Sequence, residues 1–93
     1  MSLPSASARP RLAVGCRLSE TTGQEAMLLM PEGALRLNGS GLLIVQCCDG
    51  QHTFSEIVGK LQASCPSAEA QRIKEDTAMF LKKLHERRAV DFV

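Results

Sequence analysis

The order of apolar and polar residues predicts a strand near the N-terminus and a β-hairpin after it. Residues 11–18 read RLAVGCRL, with Leu, Val, Cys and Leu at the even-numbered positions. A period of two is typical of a half-buried strand whose apolar face meets the core. After a polar loop, residues 26–30 (AMLLM) are apolar at every position, which predicts a second strand that is covered on both faces.

The tripeptide PEG at residues 31–33 predicts the turn of the hairpin. Its proline presets the backbone angle of the first corner, and its glycine can adopt the left-handed conformation of a three-residue loop. In the return strand, residues 34–38, Leu35 and Leu37 share one face and are expected to enter the core. The alternate residues face outward: Ala34, Arg36 and Asn38.

A short, mostly buried helix is expected directly after the hairpin. Its apolar residues run from 42 to 48, and either Asn38 or Ser40 can cap its first turn. Asp49-Gly50 is a stop signal, because glycine readily takes the left-handed conformation at a helix end. The helix is therefore predicted to end there.

Two further helices follow in the second half of the chain. The first spans about residues 54–63, because Thr53 and Glu56 match a capping box and Cys65-Pro66 ends the apolar stripe. Ser67 is then expected to cap a long helix over roughly residues 68–87. The inner stripe of this third helix contains Ile73, Thr77, Phe80, Leu81 and Leu84. The C-terminal AVDFV predicts a short final strand or a segment that packs on the core.

These elements predict an α+β fold of a winged helix-turn-helix-like kind. It comprises a three-stranded antiparallel N-terminal sheet followed by a three-helix bundle, in which the hairpin takes the place of a wing. Residues 1–10, rich in Ser, Ala, Pro and Arg, are expected to form a flexible tail. Residues 11–93 are expected to form one domain.

The composition and the net charge narrow the class of protein. Hydrophobic residues make up 44% and charged residues 23% of the 93 positions, which is typical of a folded domain. The formal net charge is +1, so no strong field attracts nucleic acid or an anionic membrane. The longest apolar run is shorter than the ~20 residues that span a bilayer. We therefore expect a cytoplasmic protein without a membrane segment.

The sequence contains none of the common catalytic motifs. G-x-S-x-G, G-x-x-x-x-G-K-[ST], G-x-G-x-x-G and H-E-x-x-H are absent, so neither catalysis nor a cofactor is expected. Cys16, Cys47, Cys48 and Cys65 contain no C-x-x-C spacing, and an adjacent cysteine pair suits zinc poorly. The four cysteines are expected to be reduced, small core residues, without a metal site.

Two kinds of function without peptide recognition remain open. A winged-helix DNA-binding transcriptional regulator would suit the order of the helices. However, basic and acidic residues alternate along the third helix, and the second helix offers Lys60 as its one cation. The other possibility is a structural domain of a larger complex.

Peptide binding is the third possibility, and it depends on the hairpin. If residues 34–38 form an edge strand, their backbone N–H and C=O groups can pair with an extended peptide as an added strand. Asp76, Met79 and Lys83 recur at i, i+3 and i+7 along one flank of the third helix and would form the second wall of a groove. The same periodicity also fits a peripheral core methionine between two solvated charges.

Several motifs in residues 26–90 resemble those of the pyrroloquinoline quinone (PQQ) biosynthesis protein D family, PqqD. The family carries P-E-G-x-x-x-L-N, an apolar helix ending in C-D-G, and T-x-x-E-I-V. The matching residues are Pro31, Glu32, Gly33, Leu37, Asn38, Cys48, Asp49, Gly50, Thr53, Glu56, Ile57 and Val58. The third helix continues the resemblance with Asp76-Thr77, Phe80-Leu81 and Leu84.

The resemblance implies a stand-alone peptide chaperone with the winged-helix-like fold of precursor-peptide recognition elements. Such proteins bind the ribosomally made peptide PqqA and present it to the radical S-adenosylmethionine enzyme PqqE, which crosslinks a Glu and a Tyr of the peptide. In related elements the peptide adds beside the third strand and packs on the third helix. The residues that the resemblance assigns to peptide binding are Ala34, Leu35, Arg36, Leu37, Asn38, Asp76, Met79, Phe80 and Lys83.

The chain departs from the family pattern at a few positions. Gly41 stands in place of the usual Ala, Thr77 replaces Val, and Ala89-Val90 replaces Gly followed by Leu or Val. Gly41 can loosen the junction between strand and helix, which would let two copies exchange their hairpins. We therefore expect a monomer or a weak homodimer, including a domain-swapped one, and no nucleic acid or membrane partner.

Overall fold

The computed structural model describes residues 5–20, 26–37 and 39–93. Within these ranges the chain forms a small mixed fold of antiparallel sheets and three helices. The elements are β1 (Pro10–Leu12), β2 (Arg17–Ser19), β3 (Ala26–Met30), β4 (Gly33–Leu37), α1 (Gly39–Gln46), α2 (Phe54–Ser64), α3 (Ala70–Glu86) and β5 (Val90–Phe92).

The predicted three-stranded sheet is present, with the strand order β2-β3-β4. Its hairpin pairs Met30 with Gly33 and Ala26 with Leu37, so the loop holds two residues rather than the three expected. Gly33 therefore belongs to the strand, where its φ of 155° is still one that favours glycine. The register places Leu28 and Leu37 in the core, 0% and 3% exposed.

The strand predicted over residues 11–18 is wrong in its length, because a turn divides it. Val14 is fully exposed, and Gly15 has a φ of 88°, a left-handed conformation that reverses the chain at little cost only for glycine. The residues before this turn form β1 and pair with β5, whereas those after it form β2 and pair with β3. The apolar alternation therefore continued across a chain reversal.

The second sheet joins the two ends of the described chain. Strand β1 pairs antiparallel with β5, so of the two predicted possibilities for the C-terminal segment the short strand is present. The pairing extends beyond the strands, since Arg9 and Val93 exchange backbone hydrogen bonds with N···O distances of 3.0 and 2.8 Å. Pro10 is fully buried. Ordered structure thus begins before residue 11, within the stretch assigned to a flexible tail.

The second helix agrees closely with its sequence signals. Thr53 is its N-cap and forms both hydrogen bonds of the capping box with Glu56, and Cys65 is its C-cap. Residues 6–8 satisfy the remaining first-turn donors, because the N–H groups of Phe54 and Ser55 donate to backbone carbonyls of that segment. The N-terminal segment is therefore fixed to the start of α2.

The other two helices differ at their ends from the prediction. Helix α1 ends at Gln46, and the two cysteines that follow lie in a turn. The predicted cap of α3 at Ser67 is wrong, because the N-cap is Glu69 and no side chain caps the helix there. Pro66 and Ser67 form a turn and Ala68 a bend, and the helix begins only at Ala70.

All three helices and both sheets contribute to one core. Helix α2 packs against α1 and α3, which agrees with the predicted helix packing. The largest fully buried apolar side chains are Phe54, Leu28, Ile57, Leu81, Leu84 and Val90. No helix in the described ranges is both long and apolar enough to cross a membrane.

The cysteines agree with the prediction at two of four positions. Cys47 and Cys48 are buried, Cys16 is half-buried, and Cys65 is exposed, contrary to expectation, because it caps α2 at the surface. Burial raises the pKa of the Cys48 thiol to about 12, and this thiol donates to the Ile44 carbonyl at 3.2 Å. Cys48 is therefore a protonated core residue near neutral pH.

Candidate functional site

Strand β4 lies at the edge of the three-stranded sheet, as the sequence predicts. Its neighbour is β3, and no other strand of the described chain pairs with it. In a two-residue hairpin the closing pair, here Met30 and Gly33, is hydrogen-bonded, and the pairs then alternate. The next pair, Leu29 and Ala34, is therefore a non-hydrogen-bonded pair, whose backbone groups do not bond each other. The N–H and C=O groups of Ala34 therefore point away from β3.

Helix α3 runs antiparallel to β4 along this edge. A cavity of about 560 Å³ between them is lined by Leu35 on the strand and by Phe80, Lys83 and Leu84 on the helix. Nearer the hairpin turn, a cavity of about 710 Å³ lies between Ala34 and the C-terminal end of α3. Both are lined by Glu86 and Arg87. These two neighbouring cavities are together called the edge groove.

The edge groove has an apolar floor and a charged rim. Leu35 and Phe80 are half-buried against the core, and Leu84 is 1% exposed. Lys83 and Arg87, one helical turn apart, lie exposed on the rim. This chemistry suits a chain that buries apolar side chains while its backbone pairs with a strand.

A strained residue marks the C-terminal end of α3. Arg88 has a φ of 60°, a left-handed conformation that costs roughly 1–2 kcal/mol for residues with a Cβ. Backbone hydrogen bonds close this turn, from Arg88 to the His85 carbonyl at 2.9 Å and from Ala89 to the Leu84 carbonyl at 2.8 Å. The turn places Arg88 in the wall of the edge groove near the hairpin turn, which Glu32 also lines.

A second cavity, here called the helix pocket, continues the edge groove past the end of β4. It measures about 400 Å³ and lies where α1, the end of α2 and the first half of α3 meet. Its inner wall contains Gly41, Ile44, Leu61, Ile73, Thr77 and Phe80. Cys65, Arg72 and Asp76 also line it. Phe80 belongs to both cavities.

The structure brings together some of the nine residues assigned to peptide binding. Four line the edge groove, namely Ala34, Leu35, Phe80 and Lys83. Asp76 lines the helix pocket instead and forms an exposed ion pair with Arg72, with an N···O distance of 3.6 Å.

The other four assigned residues lie elsewhere or outside the description. Leu37 is buried in the core, whereas Met79 is 57% exposed and Arg36 is exposed on β4. Asn38 lies outside the described residues. The groove is therefore formed by fewer of the assigned residues than the sequence suggested.

Sequence reasoning missed the C-terminal third of the groove. Glu86, Arg87 and Arg88 line it there, although the proposed flank of α3 stopped at Lys83. The helical period that joined Asp76 to Lys83 reaches residues 86 and 87 one turn later. That continuation was the available signal, but nothing in the sequence placed this turn opposite the hairpin.

The described residues were compared with the requirements of a metal site and of an activated thiol. No group of three or more His, Cys, Asp or Glu side chains in these ranges could hold a metal ion. Burial raises the pKa of Cys47 and of Cys16, so neither thiol is activated.

Comparison with known proteins gives one family and one fold. The family model described as coenzyme PQQ synthesis protein D (PqqD) matches residues 25–90. A Pseudomonas aeruginosa (strain UCBPP-PA14) protein named PqqA binding protein is 37% identical over 86 residues, which is 91% of each chain.

Two solved structures have similar folds. The solution structure of the PqqD truncation of Methylobacterium extorquens PqqCD, described as a functional, stand-alone recognition element for ribosomally synthesized and post-translationally modified peptides, superposes with a TM-score of 0.73. It is 28% identical and covers 95% of this chain and 94% of that one. The heterocyclase TruD gives a TM-score of 0.59 at 20% identity, covering 92% of this chain and 12% of TruD. At that identity the likeness to TruD concerns the fold alone.

Proposed function

Because the chain belongs to the coenzyme PQQ synthesis protein D (PqqD) family, we propose that it binds the precursor peptide PqqA in PQQ biosynthesis. Its role is recognition of the peptide, and it catalyses no reaction itself. The name of the P. aeruginosa relative and the recognition element of M. extorquens PqqCD support this role.

The peptide binds as an added strand along β4. The observation that carries this proposal is the outward-facing backbone of Ala34 on an edge strand, directly beside the apolar floor of the edge groove. Backbone pairing supplies part of the affinity, and alternate peptide side chains enter the groove between Leu35 and Phe80. Lys83, Glu86 and Arg87 on the rim offer charges of both signs to peptide side chains.

Several finer features belong to the same proposal. The chain presents bound PqqA to the radical S-adenosylmethionine enzyme PqqE, in the cytoplasm, and its helices and hairpin are arranged as in a winged helix. The glycines at positions 39 and 41 make a hairpin-swapped dimer a second state beside the monomer. Light scattering over a concentration series distinguishes the two states.

Calorimetric titration with the PqqA peptide of P. aeruginosa tests the strand addition, using the variant Ala34→Pro. Proline removes an N–H group that points away from β3, so the sheet stays intact while one hydrogen bond to the peptide is lost. We expect binding to weaken about tenfold or more, as loss of a hydrogen bond plus a steric clash predicts.

The matched control is Ala34→Ser, which keeps the backbone N–H and should bind like the unmodified chain. If Ala34→Pro binds normally, the peptide does not pair with β4. If the unmodified chain gives no heat at high micromolar peptide, the proposed function itself is wrong.

A further inference from the structure

The helix pocket lies in line with the edge groove, at the end opposite the hairpin turn. Strand β4 passes the C-terminal end of α3 at Ala34 and reaches the level of Phe80 at Leu37. The helix pocket begins at Phe80 and follows α3 back toward its N-terminus. An extended chain paired with β4 therefore passes the pocket entrance as it leaves the strand.

The inner wall of the helix pocket is apolar. Ile44 and Leu61 are 3% and 4% exposed, and Ile73 packs against the same core. Thr77 is the one buried polar side chain of this wall, and its hydroxyl donates to the Ile73 carbonyl at 2.7 Å. A guest in this pocket finds no unsatisfied hydroxyl there, so the wall favours an apolar side chain over a polar one.

Gly41 determines how much space the entrance offers. A Cβ atom at this position would lie 3.5 Å from Cζ of Phe80 and 3.8 Å from Cδ2 of Leu37. These are ordinary van der Waals distances, so an alanine fits without displacing its neighbours. The glycine thus leaves a methyl-sized gap beside the ring that joins the two cavities.

We propose that the helix pocket receives a large apolar side chain of the bound peptide, from a residue just outside the segment that pairs with β4. Gly41 is the residue that sets the size limit of this side chain. The inference rests on the proposed function, because its occupant is the same peptide. It adds a second contact region, formed by the three helices and the segment between α2 and α3, to the strand pairing.

Double-mutant analysis with Gly41→Ala tests the pocket. Each large apolar residue of the P. aeruginosa PqqA peptide is replaced in turn by alanine, and each peptide is titrated against both chains. For one peptide position we expect about tenfold weaker binding to the unmodified chain, as loss of a buried aliphatic side chain predicts. Against Gly41→Ala, which already restricts the pocket, the same replacement should cost about threefold or less.

The control variant is Gly59→Ala, in which the new Cβ meets nothing within 4 Å. Like Gly41→Ala, it replaces a glycine in a helix and raises helix propensity, but it lies outside both cavities. It should bind every peptide as the unmodified chain does. If no peptide position is coupled to Gly41 while Ala34→Pro still weakens binding about tenfold or more, the pocket inference is wrong and the proposed function stands.

Methyl spectra give an independent readout, since the chain has three isoleucines. Ile44 and Ile73 line the helix pocket, whereas Ile57 is fully buried elsewhere in the core. We expect the methyl signals of Ile44 and Ile73 to shift on addition of peptide and that of Ile57 to stay in place. Unchanged Ile44 and Ile73 signals with a saturated strand site would overturn the inference. Absence of any binding by the unmodified chain would overturn the proposed function with it.

Discussion

Strands β1 and β4 are both short, but within the described residues β1 is bonded along both edges and β4 along only one. Strand β1 is bonded on both sides: β5 pairs with one edge, and backbone bonds join the other to residues 48–50. Strand β4 has β3 on one side and the edge groove on the other. In the proposed function, the bonded edges of β1 therefore serve the structure and the open edge of β4 serves recognition.

The difference explains where this protein tolerates an open edge. Unpaired strand edges are a risk, because any extended chain can pair with them. At β1 that risk is removed by the chain itself, which joins its two ends and fixes the start of α2. At β4 the edge is five residues long and carries an exposed arginine, both of which limit unspecific pairing. Backbone pairing at β1 thus closes both of its edges, and we propose that the open edge at β4 binds the peptide.

Proline substitution at one alanine in each strand region tests this division most strongly. The N–H of Ala13 donates to the carbonyl of the buried Ala89 at 2.8 Å. Ala13→Pro removes this donor and leaves a buried acceptor unsatisfied, which should cost about 1–3 kcal/mol of the free energy of unfolding. Ala34→Pro should change it by only about 0.5 kcal/mol. Denaturant unfolding followed by circular dichroism measures both, since the chain has neither Trp nor Tyr.

Ala13→Ser is the control for this pair of variants, because it keeps the N–H group and a small side chain. It should unfold close to the midpoint of the unmodified chain. Equal destabilisation by the two prolines would contradict the division, since it would mean that the edge of β4 is also part of the structural frame.

The first turn of α2, which the segment before β1 contacts, offers a test with an expected loss of stability of intermediate size. The side chain of Thr53 accepts from the N–H of Glu56 at 3.1 Å. Thr53→Ala should therefore cost about 1 kcal/mol of unfolding free energy. Ser67→Ala is the matched control. The sequence predicts Ser67 as the N-cap of α3, but in the structure the N-cap is Glu69. That variant should stay within about 0.5 kcal/mol of the unmodified chain.

Thermal unfolding of the two variants compares the observed cap at Thr53 with the cap predicted at Ser67. A loss of stability in Ser67→Ala as large as in Thr53→Ala would show that Ser67 caps α3 in solution. Peptide binding should remain unchanged in both variants, because neither residue lies in the edge groove or the helix pocket.

The fold was predictable wherever the signal was local. The capping box at Thr53 and the hairpin around residues 31–33 each use neighbouring residues, and both are present. The pairing of β1 with β5 joins opposite ends of the chain, and no local pattern encodes that contact. For the same reason the reversal at Gly15 went unnoticed, since apolar alternation looks identical on two strands of different sheets.

The candidate site was predictable in its strand and less so in its helix. Alternation placed Leu35 and Leu37 on one face, and the structure buries both to different degrees. The role of Arg87 and of the helix pocket depends on how α3 crosses the hairpin and α1, which is a property of tertiary packing. Gly41 was visible as a departure from the family pattern, but its contact with Phe80 requires the fold.

Acid should lower the stability of the fold through Asp49, in the turn beside β1. The expected effect is smaller than that of the substitutions above. The carboxylate of Asp49 accepts from the backbone N–H of Gln51 at 2.8 Å and from that of His52 at 3.2 Å. The bond from Gln51 is the largest cause that lowers the pKa of Asp49 from 3.8 to about 2. The backbone of Asp49 also forms an isolated antiparallel β-bridge with Arg11 on β1. The turn that contains Asp49 therefore covers the second edge of β1.

The sign of the pH dependence follows from the lowered pKa of Asp49 in the folded state. A carboxyl that is harder to protonate when folded stabilises the fold above its unfolded pKa, near 4, and this contribution is lost as the pH falls toward 2. The midpoint of thermal unfolding should therefore decrease over this interval. Asp49→Asn keeps an acceptor oxygen but cannot titrate, so its decrease should be shallower. Identical slopes for the two chains would show that the turn at residues 49–52 does not couple protonation to the closed edge.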